Sequence, residues 1–241
     1  MSEIKLDILA FGAHPDDVDL SCSGTLLKQI KLGYTAGIID LTQGELGTRG
    51  SAELRLKEAA KAASILGVSL RENLSMADGF FQNDKEHQLQ IIKKIRQYKP
   101  RVVLCNAVSD RHPDHGRASQ LVSEACFYSG LRKIETFQDG KLQESWRPSA
   151  VYHYIQYRYI KPDFVIDVSP FVDTKMEAIK AFSSQFYDAN SKEPESPISS
   201  KNFLDFVKSK MMAFGRDINV EYAEGFTCER TIGITDLFQL S

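Results

Sequence analysis

The 241-residue sequence predicts an α/β protein: a mostly parallel sheet with helices on both faces and its ligand site at the carboxyl ends of the strands. Three observations lead there. Strand-like and helix-like segments alternate through the first half, the pattern of parallel strands joined by helical crossovers. The strand segments are apolar throughout, as expected of strands buried on both faces. The chain is long enough for one large core, and its 42% hydrophobic and 26% charged residues are ordinary for a globular domain.

The elements follow in order. LDILAF (6–11) reads as a buried strand. Residues 20–32 carry apolar side chains at helical spacing and end at Gly33, a residue suited to a helix C-terminus. TAGIIDL (35–41) is a second strand. Residues 51–66 form an amphipathic helix with Ser51 as N-cap and Gly67 just past its end. LSMAD (74–78) is a short strand, and the helix over 86–98 stops before Pro100. RVVLCNA (101–107) is a buried strand, followed by a helix over 114–127. The second half is less regular. SAVYHYI (149–155) and DFVIDVS (163–169) read as strands, and 173–186 and 201–214 as helices. DANSKEPESPISSKN (188–202), rich in Ser, Pro and charge, reads as a surface loop placed to act as a lid. With no repeat and no linker, residues 1–241 are expected to form a single domain.

Composition narrows the function. A net charge of −2 and a pI near 6.2 provide no global attraction to nucleic acid or anionic membrane. No apolar run reaches membrane-spanning length, and MSEIKLDILAF lacks the pattern of a leader, so the expected location is the cytoplasm. Cys22, Cys105, Cys126 and Cys228 have no CxxC spacing and read as small core residues.

The chemistry concentrates in two stretches, His14-Pro15-Asp16-Asp17 and His112-Pro113-Asp114-His115, which hold three of the five histidines. Each follows a strand and precedes a helix, so the two can meet at one end of a parallel sheet. A dinucleotide site is disfavoured there. The small residues of GxGxxG are missing, and two carboxylates would repel a pyrophosphate. TQGELGTRG (42–50) lacks the GK[ST] of a P-loop and reads equally as a mobile or a substrate-facing loop. Imidazole and carboxylate together suit zinc and other divalent metals. His14 and Asp17, three apart across a turn stiffened by Pro15, can face one ion, and His115 can supply a third ligand. Asp16 can then face a metal-activated water, and His112 with Asp114 can form an imidazole–carboxylate pair. That set is equipped for metal-assisted hydrolysis. His87 reads as a polar-face helix residue and His153 as a sheet residue, both without ligand-like neighbours.

These residues carry a resemblance. AHPDD and HPDH resemble the two signature motifs of the LmbE/PIG-L deacetylases, zinc-dependent enzymes that remove acetyl from N-acetylglucosaminyl conjugates. LTQGELGTRGSAELRLKEAAKAASILGV (41–68), ENLSMADGFF (72–81), SGLRKIET (129–136), DFVIDVS, SQFYDANSKEPESPI (184–198) and YAEGF (222–226) look like the bacillithiol-biosynthesis branch. That branch converts N-acetylglucosaminyl malate to glucosaminyl malate. The resemblance implies a Rossmann-like fold, one zinc ion held by His14, Asp17 and His115, and Asp16 as general base. It further implies that protonated His112 stabilises the oxyanion, that Asp114 orients His112, and that Arg55 contacts substrate. A homo-oligomer, often a hexamer, is implied as well. Where some relatives carry a substrate-contacting tyrosine, this chain has Phe203, to which no role is assigned. Arg49 and Arg111 lie on the predicted site loops and read equally as solvated charges or as carboxylate contacts. Rival readings are deacetylation of a chitin fragment or of a mycothiol-type or lipid-linked glucosamine, a non-catalytic metal-binding protein, and a nucleotide-binding protein.

Overall fold

A computed structural model describes residues 4–239; residues 1–3 and 240–241 lie outside the described residues. The strands are β1 (Ile8–Gly12), β2 (Ala36–Thr42), β3 (Leu70–Met76), β4 (Val102–Cys105), β5 (Phe137–Gln138), β6 (Lys141–Leu142), β7 (Ala150–Tyr154), β8 (Phe164–Asp167) and β9 (Ala223–Cys228). Seven of them form one sheet in the order β3-β2-β1-β4-β7-β9-β8, and β5 and β6 make a separate hairpin. β3, β2, β1, β4 and β7 run parallel, while β9 lies antiparallel between β7 and β8. The fold is thus α/β with a mostly parallel central sheet.

Apolar strands can be buried on both faces only if helices cover both, and neighbouring residues show that they do. Ile8, Ala10, Ile38 and Leu104 pack into one core, and Leu9, Phe11, Ile39, Leu41, Val103 and Cys105 into the other. The first core is covered by α1 (Asp17–Ser21), α2 (Ser23–Lys31), α3 (Ala52–Leu66), and, later in the chain, α6 (Val172–Lys180) and α7 (Phe203–Arg216). The second is covered by α4 (Lys85–Tyr98) and α5 (Pro113–Ser129). Ser51 caps α3 as expected, its hydroxyl accepting from Leu54 N at 3.2 Å, and Gly67 ends the helix at φ 68°. Cys22, Cys105 and Cys126 are buried and all four cysteines are free.

Three expected elements depart from the sequence reading, and β5, β6 and β9 have no counterpart in it. The helix expected over 20–32 breaks at Cys22 into α1 and α2. The break exposes backbone groups that must be met, and a buried ion pair meets them. Glu224, on β9, accepts from Gly24 N at 3.0 Å and Thr25 N at 2.7 Å. Lys175, fully buried on α6, donates to Glu224 at 2.6 Å and to Leu20 O at 3.0 Å. A side chain at Gly24 would intrude here, since a Cβ would lie 2.9 Å from Glu224 Oε1. The helix expected over 173–186 stops at Lys180. Beyond it Ser183 Oγ, Ser184 N and Ser184 Oγ all donate to the Glu58 carboxylate, an alternative to helical bonding. β3 begins four residues earlier than expected, where Arg71 pairs with buried Asp19 and Asp40.

Lys175→Met should lower unfolding free energy by about 3–5 kcal/mol, because it strands the Glu224 carboxylate in the core. Adding Glu224→Gln should recover part of the loss, since the amide oxygen still accepts from α2. Urea unfolding of both variants checks this.

Candidate active site

β1 and β4 lie side by side, and from them the sheet grows in opposite directions, to β2 and to β7. A crevice opens at such a switch point, outside the carboxyl ends of the strands. Both His-Pro-Asp stretches enter it: His14 follows β1, and His112 follows β4 as the N-cap of α5, with Pro113 in the first turn.

The first stretch folds back on itself. His14 N donates to Asp17 Oδ2 at 2.9 Å, and Asp17 N to His14 O at 3.2 Å. Between them Asp16 adopts φ 130°, a conformation that L residues avoid and that typically stores about 1–3 kcal/mol. The three histidines converge, one ring nitrogen of each lying within 4.8 Å of the others. Asp17 reaches both outer ones: Oδ2 is 3.6 Å from His14 Nδ1 and Oδ1 is 3.3 Å from His115 Nε2. Two donors bonded at about 2.1 Å to a tetrahedral ion lie about 3.4 Å apart, close to each of these separations, which are made by different oxygens of Asp17. His14, Asp17 and His115 are buried. A second group, His14 with Asp78 and Asp114, also brings ligand atoms within 4.8 Å of one another.

The adjacent carboxylates are pushed in opposite directions. Burial raises Asp16 to about 7, against the Arg55 guanidinium and with help from the Asp17 charge. Burial acts on Asp17 too, but His115 and His14 outweigh it and hold Asp17 well below the carboxylate range. His115 rises to about 9: burial opposes the charge, but the Asp17 charge and the Asp110 hydrogen bond prevail. His112 is lowered, first by burial and then by His14 and His115.

The remaining expected residues take specific places. Arg55 Nη2 donates to Asp16 at 3.2 Å and to Gln185 Oε1 at 2.7 Å, and Nη1 donates to Gly44 O at 3.2 Å. The loop after β2 must pass tightly over this guanidinium. Gly44 sits at φ 65°, and a Cβ there would lie 1.7 Å from Arg55 Nη1. The Asp114 carboxylate is engaged away from the His112 ring. It accepts from Gly79 N at 2.8 Å and Arg117 at 2.7 Å and lies 3.3 Å from His14 Nε2. Its contact with His112 is instead through the backbone, Asp114 N donating to His112 Nδ1 at 3.3 Å. Arg49 donates to Phe186 O, and Arg111 lies 4.9 Å over the Tyr157 ring.

A cavity of about 300 Å3 opens over the cluster, with Leu46, Arg49, Arg111, Tyr157, Ile198 and Lys210 in its wall. Both loops in question contribute: 46–49 from TQGELGTRG and 196–198 from the expected lid, whose Glu193 accepts from Gly50 N at 3.1 Å. Phe203 lines the cavity and stacks on Phe186. Burial drives Lys210 down to about 7.

Sequence reasoning missed five residues here. Asn106 donates to Asp17 at 3.0 Å and accepts from Ala13 N at 2.9 Å, and Gln156 Nε2 also donates to Asp17. Asp78 accepts from His14, Asp110 from His115, and Gln185 from Arg55. Asp78, Asn106 and Gln156 each sit one or two residues beyond the end of a parallel strand, so the strand-end rule could have found them. Asp110 lies two residues before HPDH, and Gln185 carries no such signal. His87 and His153, expected to lack ligand-like neighbours, each face a carboxylate. Asp84 lies 2.8 Å from His87, and Glu229 lies 2.9 Å from His153, beside Cys105 Sγ at 3.3 Å.

Residues 9–126 match the family model described as PIG-L, GlcNAc-PI de-N-acetylase. The chain is 29% identical over 189 residues to the diacetylchitobiose deacetylase of Thermococcus kodakarensis, covering 74% of this chain and 70% of that one. It is 27% identical over 196 residues to a Bacillus anthracis protein named "Probable N-acetyl-alpha-D-glucosaminyl L-malate deacetylase 2", covering 74% and 81%. Its fold superimposes on the crystal structure of a conserved protein from Thermus thermophilus, TT1542, with a TM-score of 0.85 and 33% identity, over 96% and 98% of the two chains. The family match, the similarity to known deacetylases and the shared fold together make this chain a member of the PIG-L/LmbE family, a deacetylase of N-acetylated sugars.

Proposed function

We propose that this enzyme removes the acetyl group of N-acetylglucosaminyl malate, using one zinc ion held by His14, Asp17 and His115. The observation that carries the catalytic part is the buried His–Asp–His cluster with Asp16, pinned by Arg55, beside it. A divalent metal in that cluster supplies Lewis acidity toward water and toward the acetyl carbonyl. Asp16 accepts the proton of the attacking water and returns it to the leaving amine. Burial raises its affinity for a proton, which suits both transfers. Arg55 holds Asp16 in place, a role that its hydrogen bonds support better than direct reading of the aglycone. A neutral His112 whose Nδ1 accepts from Asp114 N carries its proton on Nε2. It therefore donates to the developing oxyanion as a neutral ring rather than as an imidazolium, and such a donor is typically worth about 3 kcal/mol. The cavity wall supports the malate part. Arg111 is exposed, and its guanidinium has no carboxylate partner among the described residues, which leaves it available to an acidic aglycone. A second reading, diacetylchitobiose as substrate, is favoured by the similarity to the Thermococcus kodakarensis enzyme.

His115→Ala should lose bound metal while staying folded, and elemental analysis of the folded variant checks it. Unchanged stoichiometry would remove His115 from the ligand set. Asp16→Asn should keep its metal while kcat falls by orders of magnitude, read by acetate release. On substrate, Arg111→Ala should lower kcat/KM for N-acetylglucosaminyl malate by about ten- to a hundredfold and spare diacetylchitobiose. Arg55→Ala should depress both substrates alike. Wild-type enzyme that prefers diacetylchitobiose would overturn the malate reading and leave the deacetylase intact.

A further inference from the structure

Asp78 and Asp110 belong to neither His-Pro-Asp stretch, yet each carboxylate meets a candidate ligand histidine on the nitrogen facing away from Asp17. His14 turns Nδ1 toward Asp17, and its Nε2 lies 2.9 Å from Asp78 Oδ1. His115 is reversed. Its Nε2 faces Asp17, and its Nδ1 lies 2.7 Å from Asp110 Oδ2. A carboxylate accepts and cannot donate, and Asp78 and Asp110 lie closer to their rings, at 2.9 and 2.7 Å, than Asp17 does, at 3.6 and 3.3 Å, so a ring with a single N–H places it on the Asp78 or Asp110 side. The lone pair of a neutral ring is then left on the opposite nitrogen.

Both carboxylates are themselves fixed, which lets them act as rigid references. The Asp110 side chain is fully buried, and every oxygen has a donor besides His115. Oδ1 accepts from Arg111 N and Arg158 N, both at 2.8 Å, and Oδ2 accepts from Tyr157 N at 3.2 Å. Asp78 Oδ2 accepts from Leu46 N at 2.9 Å, and Asp78 N donates to Glu45 at 2.8 Å. Each carboxylate thus joins a ligand histidine to a loop of the cavity wall. Asp78 reaches the 43–50 loop and Asp110 the 156–158 segment.

We propose that Asp78 and Asp110 are positioning residues that impose opposite tautomers on the two histidine ligands, so that His14 offers Nδ1 and His115 offers Nε2. This rests on the ligand assignment above. With that assignment, Asp78 and Asp114 serve as acceptors behind His14.

The test is zinc affinity, measured by chelator competition on the full-length protein, with 15N-histidine NMR of the zinc-loaded form. Asp110→Asn and Asp78→Asn should each weaken zinc binding about ten- to a hundredfold without a comparable loss of thermal stability. Asp110→Glu should recover part of the Asp110→Asn loss. Wild-type spectra should show Nδ1 coordinated in one histidine and Nε2 in another, assigned through His14→Gln and His115→Gln. Affinities unchanged within twofold in both Asn variants, or the same nitrogen coordinated in both histidines, would overturn the proposal. Should His115→Ala retain zinc, the ligand assignment itself fails. Should His115→Ala lose zinc while Asp110→Asn and Asp78→Asn do not, only the positioning role fails. If Asp110→Asn does not fold, the outcome at Asp78, which lies on a separate loop, decides.

Discussion

A carboxylate sealed from water must have its oxygens met by donors, and at Asp17 that requirement gathers the ends of three strands. His14 N supplies one donor just beyond β1, Asn106 Nδ2 a second beyond β4, and Gln156 Nε2 a third beyond β7. The imidazoles of His14 and His115 approach from the cavity side. No one of these contacts is strong alone, since a hydrogen bond to a charged group contributes roughly 1.5–3 kcal/mol net. Together they locate the mouth of the sheet around one anion. Asp16 inherits its unusual backbone from the same anchoring. Its neighbours on both sides are fixed, so the chain between them takes φ 130°.

The consequence is two neighbouring acids with separate chemistries. Asp17 sits between imidazoles and stays ionised, which suits a ligand. Asp16 has one guanidinium and a buried setting that raises its pKa. Paired groups pushed apart in this way allow a single site to assign binding to one and proton transfer to the other, the division proposed for Asp17 and Asp16.

Much of this was legible in the sequence, for identifiable reasons. Periodicity and capping revealed β1, β2, β4, α3, α4 and α5, because local propensity and tertiary packing agree there. His14, Asp16, Asp17, His112 and His115 were legible because dense imidazole and carboxylate beside a proline is rarely explained by packing alone. What escaped depends on partners far away in the chain. The break at Cys22 is stabilised by Glu224, some two hundred residues on. β9 carries a glutamate and a glycine and lacks the apolar pattern of a central strand. The Asp114–His112 pairing expected from adjacency gave way to Gly79, Arg117 and His14, which only the fold brings near. Asp78 and Asp110 look like ordinary loop acids until the histidines they face are known.

The order of the site along the chain divides labour. Every candidate ligand and proton-transfer group lies between His14 and His115, on loops that the parallel strands hold in place. Much of the cavity wall comes later, from Gln156 and Tyr157, from the 196–198 segment, and from α7 through Phe203, Phe206, Val207 and Lys210. Lys210 links the two regions, donating to the carbonyls of Ile155 and Gln156 beside the residue that binds Asp17. Descent with modification can therefore rewrite the later half, changing which sugar conjugate is admitted, while the earlier half keeps the reaction unaltered.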